Sequence, residues 1–204
     1  MGPHLNLIIA VEADKNVTHR SILQRITETF NELLGEPKKI MRLNYVTNEM
    51  AVSDWDYQDL SMLNVIGGQE LVFIYFDQSS GTCTHKSSIN FGESGGLISL
   101  TLSFEAENVD NKRDYISKLS IKMCSTLLNE ECSSIFAFGE EISLGEPQAS
   151  LCSALDAIMA EIKPDWIVLS RNTYQKCAFR NPQYQMKDNH DLLLFLHSKY
   201  TDGA

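Results

Sequence analysis

The chain has 204 residues, 43% of them hydrophobic, which suits one globular domain burying roughly 70% of the surface its unfolded form exposes. Plentiful apolar runs and the lack of any low-complexity tract exclude global disorder, and no stretch approaches the ~18 apolar residues of a membrane span. With 27 acidic against 17 basic side chains the formal net charge is −10, so phosphate backbones and anionic lipid surfaces repel the molecule and basic proteins are steered toward it.

Leu5 to Val11 (LNLIIAV) is a nearly continuous apolar run, the signature of a strand buried on both faces. A helix follows, with Asn16 or Thr18 as cap and Ile22, Leu23, Ile26, Phe30, Leu33 and Leu34 on one face, ended by Gly35 and Pro37. Ile40 to Val46 reads as a second strand. Asp54 to Ile66 reads as a short helix capped by Asp54 and closed by Gly67-Gly68. Leu71 to Phe76 (LVFIYF) is a second fully apolar strand, and Thr82 to Phe91 is polar enough for an edge strand, with Lys86 guarding against stray pairing.

Leu97 to Phe104 alternates: Ile98, Leu100, Leu102 and Phe104 against Ser99, Thr101 and Ser103, as in a half-exposed strand. A helix from about Asn111 to Asn129 turns Ile116, Leu119, Met123 and Leu127 inward, and Ile135 to Phe138 is a short strand. A third helix is expected to start at Pro147 and to stack Leu151, Leu155, Ile158, Met159 and Ile162 before Pro164 stops it. Trp166 to Leu169 is another strand; periodicity then weakens, and Leu192 to Tyr200 reads as a final helix. Strands clustered in mid-chain imply hairpins, hence an α+β fold: one compact domain with a largely antiparallel sheet covered by helices. Any seam falls near residues 107–110, and the tail 172–204 is the least regular part.

Cys83, Cys124, Cys132, Cys152 and Cys177 are odd in number and lack the close spacings of zinc or disulfide motifs, which points to free thiols in a reducing compartment. Met1 to Asp14 has no basic leader region, so the expectation is a cytoplasmic protein.

Few strings carry chemistry. Gly92-Glu93-Ser94-Gly95-Gly96 resembles the surroundings of a trypsin-like nucleophile, but the histidine context is missing and a glycine-rich hairpin turn explains it. Asp54-Trp55-Asp56-Tyr57-Gln58-Asp59 has the carboxylates of a hard-metal site, yet helix capping accounts for them; Trp55 and Tyr57 beside the acids suit a protein interface. His190 and His197 lack the one-turn spacing of a zinc site. The segment Arg171 to Lys187 mixes Arg171, Lys176, Arg180 and Lys187 with Tyr174, Phe179 and Tyr184; it reads as a loop packed on the acidic body, or as a contact for a phosphate-bearing ligand. No phosphate-cradling glycine motif occurs, and no catalytic residue, metal or cofactor is expected.

Leu33-Leu34-Gly35 at the first helix end, the middle hairpin, and GLISLTLSFE (Gly96 to Glu105) running into a helix and a short strand resemble bacterial immunity proteins of contact-dependent and type VI systems. The resemblance covers about two-thirds of the chain, from Leu5 to Phe138, and rests on element order. It implies stoichiometric occlusion of a toxin acting in the cytosol, with a basic-surfaced toxin domain as partner. Exposed acids near aromatics are the candidate contacts: Asp54, Trp55, Asp56, Tyr57 and Asp59, then Glu105, Glu107, Glu140 and Glu141. Two alternatives remain: an acyl or nucleotidyl transferase using Arg171 to Lys187, and a scaffold subunit of a larger assembly.

Overall fold

The computed structural model of the chain describes residues 4–12, 24, 28, 38–44, 47–54, 69–76, 83–94, 97–105, 113–114, 116–118, 120–122, 124, 133–144, 148–161, 163–189 and 192–200. Among the described residues ten strands form one sheet: β1 (His4–Glu12), β2 (Lys39–Asn44), β3 (Glu49–Asp54), β4 (Gln69–Phe76), β5 (Cys83–Ser94), β6 (Leu97–Glu105), β7 (Ser134–Glu140), β8 (Trp166–Ser170), β9 (Tyr184–Asn189) and β10 (Leu192–His197). They lie in the order β3-β2-β4-β5-β6-β1-β7-β8-β10-β9, every neighbouring pair antiparallel. Helices α1 (Leu151–Glu161) and α2 (Arg171–Cys177) and a 3-10 turn (Ser198–Tyr200) accompany them. Gln24, Glu28 and the described positions from 113 to 124 are also helical. The fold class is α+β, as the element order implied.

The sheet is built outward from β1. Leu5, Leu7, Ile8, Ile9 and Ala10 have no solvent exposure, because β6 and β7 flank the strand and helices cover both faces. One face carries Ile8, Ala10, Ile135, Ala137, Ile167, Leu169, Leu193 and Phe195; against it pack Leu151, Ala154, Leu155 and Ile158 of α1. The opposite face carries Leu7, Ile9, Phe136, Phe138 and Trp166. There Ser117 accepts a 2.9 Å hydrogen bond from Trp166 Nε1, and Ile116 is buried, so the helical residues from 113 to 124 lie on that side. Phe138 stacks on Trp166 with centroids 5.5 Å apart. Each such aliphatic or aromatic residue stabilises the fold by about 1.5–3 kcal/mol over its exposed state.

Local signals set the ends of these elements. Ser150 caps α1: its Oγ accepts from Ser153 N, and Ser153 Oγ accepts in return from Ser150 N, both at 3.1 Å. Asn48, at φ 56°, turns the chain between β2 and β3, a left-handed conformation that Asn tolerates. Gly92, Glu93 and Ser94 of the protease-like string are the last residues of β5, and Ser94 pairs with Leu97 at the start of β6.

Several expectations change. The strand from Thr82 is β5, paired on one side with β4 and on the other with β6, so it is interior and Lys86 guards no edge. Among the described residues the edges are β3, unforeseen as a strand, and β9. Asp54 ends β3, and the rest of the expected helix to Ile66 lies outside the described residues, as do most of the first expected helix and the proposed seam at 107–110. The third helix begins at Leu151, not Pro147. Leu192 to His197 is strand β10 rather than a helix, because β8 and β9 pair with it on either side. The supposed loop after Arg171 holds α2 and β9. Cys152 and Cys177 are joined as a disulfide, not left as free thiols; Cys124 is a free, buried thiol that burial pushes up in pKa.

Candidate interaction surface

All six residues of β3 are exposed. Met50 and Val52 keep 66% and 52% of their surface in solvent, and no described strand pairs with the outer side of β3. An edge strand offers unpaired backbone N–H and C=O groups, a template for an added strand. Two-residue periodicity puts Met50, Val52 and Asp54 on one face and Glu49, Ala51 and Ser53 on the other. Trp55, Asp56, Tyr57 and Asp59 follow directly in sequence but lie outside the described residues, as does Glu107.

Strand register places the other nominated acids. Asp54 pairs with Lys39, and Lys39 with Ile74, which pairs with Lys86. One residue beyond the Ser87–Phe104 pair stands Glu105, which pairs with His4; Leu5 pairs with Glu140. Asp54, Glu105, Glu140 and Glu141 therefore share one rim of the sheet. They do not form one patch: β3 and β7 are six places apart in the strand order, which at ~4.8 Å per place is about 29 Å. Two lysine positions, 39 and 86, stand between Asp54 and Glu105 along the rim, so the acids are not continuous.

Glu140 and Glu141 have structural partners. Arg113 Nη1 donates to Glu140 Oε2 at 3.0 Å. Glu141, exposed and at φ 56°, accepts the His4 N–H at 2.6 Å through Oε1 and donates its own N–H to His4 O at 3.0 Å, tying down the start of β1.

Beside them is a charged cluster that no sequence pattern announced. Asp165, almost fully buried, receives Arg113 Nε and Nη2 at 2.8 Å each, and Lys199 Nζ lies 3.6 Å from its Oδ1. Its signal is faint: an acid between a helix-stopping proline and a buried strand must find cations. Tyr184 donates to Pro164 O at 2.8 Å; burial, then the nearby Asp165, raises its pKa, so the phenol stays a donor. His197 packs edge-on against Tyr184, centroids 5.1 Å apart, and accepts the Lys199 N–H at Nδ1. Its buried Nε2 meets no partner among the described residues. His190 lies outside the described residues. Each carboxylate in the cluster faces a cation, an arrangement that fastens the helical residues near Arg113 to the ends of β7 and β8.

In the segment Arg171 to Lys187, Arg171 pairs with Asp188, while Lys176 Nζ reaches Glu12 Oε2 at 2.9 Å and Ser133 Oγ at 3.4 Å. Tyr184 is buried, and Tyr174 and Phe179 pack against the core beside Phe195. Of its basic residues, Lys176 reaches an acid elsewhere in the body, Glu12, and Arg171 reaches Asp188 just beyond the segment. Among the described residues no three His, Cys, Asp or Glu side chains converge as metal ligands, and no helix is long and apolar enough to cross a membrane.

No protein-family model matches the chain, and no curated protein does. Among solved structures it is similar to one described as Pseudomonas aeruginosa T6SS protein PA0821, at 14% identity and a TM-score of 0.47. The likeness covers 95% of this chain and 66% of that one, and likeness of that degree shows no shared role.

Proposed function

We propose that this chain is a non-enzymatic binding protein that neutralises a basic-surfaced toxin domain by covering its active site, in the manner of the immunity proteins its element order resembles. One observation carries the reading: β3 is an edge strand exposed along its whole length, with Met50 and Val52 in solvent. The run Asp54-Trp55-Asp56-Tyr57-Gln58-Asp59 begins at its last residue. The backbone edge supplies directional hydrogen bonds, the apolar side chains supply area, and the acids choose a basic partner. The net charge of −10 accelerates encounter with such a partner by a factor of about 10 or more at low ionic strength.

The test is co-expression with the product of the adjoining reading frame, followed by association kinetics of the purified pair. The wild-type chain relieves growth arrest, and changing Asp54→Lys, Asp56→Lys and Asp59→Lys together slows association about tenfold and flattens its salt dependence. Failure to relieve the arrest refutes the immunity role. An unchanged association rate in the triple variant removes this surface from the interface.

A further inference from the structure

We infer that Cys152 and Cys177 form a reversible thiol–disulfide site that fastens α2 onto α1, so that the docking of α2 depends on the supply of a thiol oxidant. Cys152 is in the first turn of α1 and Cys177 is the last residue of α2, 25 positions apart in sequence and with 5.2 Å between their Cα atoms. That separation is within the range a disulfide spans. Both residues are only partly buried, so a disulfide or thiol reagent can reach them.

The two ends differ chemically. Cys152 sits near the N-terminus of an 11-residue helix, where unsatisfied N–H groups favour a thiolate. Cys177 sits at a helix C-terminus, which disfavours one. Cys152 is therefore the attacking sulfur: its thiolate displaces one sulfur of a disulfide-bearing oxidant, forming a mixed disulfide and releasing the first thiol. Cys177, deprotonated, then attacks Cys152 Sγ, forms the intramolecular bond and expels the second thiol. Two cysteine thiols lose two electrons and two protons, and the oxidant's disulfide gains them.

The bond matters to α2 because the other holds on that helix are a cap, a few packed side chains and exposed ion pairs. At 7 residues it is too short to persist alone. Ser170 caps it by accepting from Thr173 N, Thr173 is buried, and Tyr174 meets Phe195 at 5.8 Å. Exposed pairs tie Lys176 to Glu12 of β1 and Arg171 to Asp188 of β9, and exposed pairs contribute little. Where oxidants outcompete glutathione the pair closes; where thiols are kept reduced it stays open. This holds whatever partner the protein has.

The experiment uses the full chain, first reduced with dithiothreitol and then equilibrated with oxidised glutathione. Intact mass should fall by two hydrogens. Alkylation under denaturing conditions should spare Cys152 and Cys177 while modifying the remaining cysteines. Thermal unfolding of the oxidised protein should occur roughly 5–15 °C above that of the reduced form. In the Cys152→Ser, Cys177→Ser double variant dithiothreitol should have no effect, with a Tm near that of the reduced wild type. In the reduced native protein Cys152 should alkylate faster than Cys177. Alkylation of both cysteines after oxidation overturns the site, equal Tm values overturn its role in holding α2, and equal alkylation rates overturn the assignment of Cys152 as the attacking sulfur.

Discussion

Replacing Arg113 by methionine tests how the helical residues near it are held to the sheet. The substitution keeps the aliphatic stem and removes the guanidinium that donates twice to Asp165 at 2.8 Å and once to Glu140 at 3.0 Å. The Asp165 side chain is only 8% exposed and cannot turn to water. Removing one partner of a buried pair costs roughly 3–5 kcal/mol, because the remaining charge is left desolvated. Lys199 stays 3.6 Å from Asp165 but is half exposed, which moves the expectation to the low end, about 3 kcal/mol. For a chain of this length that corresponds to about 6–12 °C in Tm. Urea unfolding followed by tryptophan fluorescence gives the free energy, since Trp166 adjoins Asp165 and hydrogen-bonds Ser117. Asp165→Asn alone should also destabilise, and the double variant should lose at least ~1 kcal/mol less than the sum of the singles. A loss under ~0.5 kcal/mol for Arg113→Met, or additive singles, would show that the pair does not fasten these elements.

Two further perturbations follow from the same region. Burial, then the positive charges of Lys199 and Lys163, lower the His197 pKa, with Asp165 acting in the opposite sense. The folded protein thus binds this proton less well than the unfolded chain, whose histidine titrates near about 6.5. Stability should be level above that pH and should fall as pH drops below it; His197→Asn should shallow the fall of Tm between pH 7.5 and 5, and an unchanged slope refutes the assignment. At Gly139 a Cβ would lie 3.1 Å from Ile142 Cγ2 and 3.2 Å from Pro164 Cα. Gly139→Ala should therefore cost roughly 1–3 kcal/mol by forcing β7 away from the start of β8, and unfolding at the wild-type urea midpoint would contradict that packing.

What the sequence by itself determined is the set of elements whose own residues state their surroundings. The run Leu5 to Val11 had to be buried on both faces, because apart from Asn6, which donates to Ile142 O, it is apolar on both. The alternation of Leu97 to Phe104 declared a strand with one more polar side; Thr101 and Ser103 keep partial exposure, while Ser99 on the same side is buried. Leu151, Leu155 and Ile158 recur at the helical period and meet the core as one stripe. Arg171 and Lys176 lie in an acidic chain and find acids. Tertiary structure decided everything that depends on a neighbour's identity. Whether β5 is an edge depends on β4 and β6, and its polar sequence suggested the wrong answer. Leu192 to Leu196 is too short for periodicity to separate strand from helix, and only the flanking β8 and β9 made it β10. The bond between Cys152 and Cys177 arises from two helices brought together over one face of the sheet. The placing of lysine positions between the acids of the rim arises from register between strands distant in sequence. Local periodicity records what one segment needs from its environment; which segment answers that need is set only when the whole sheet closes.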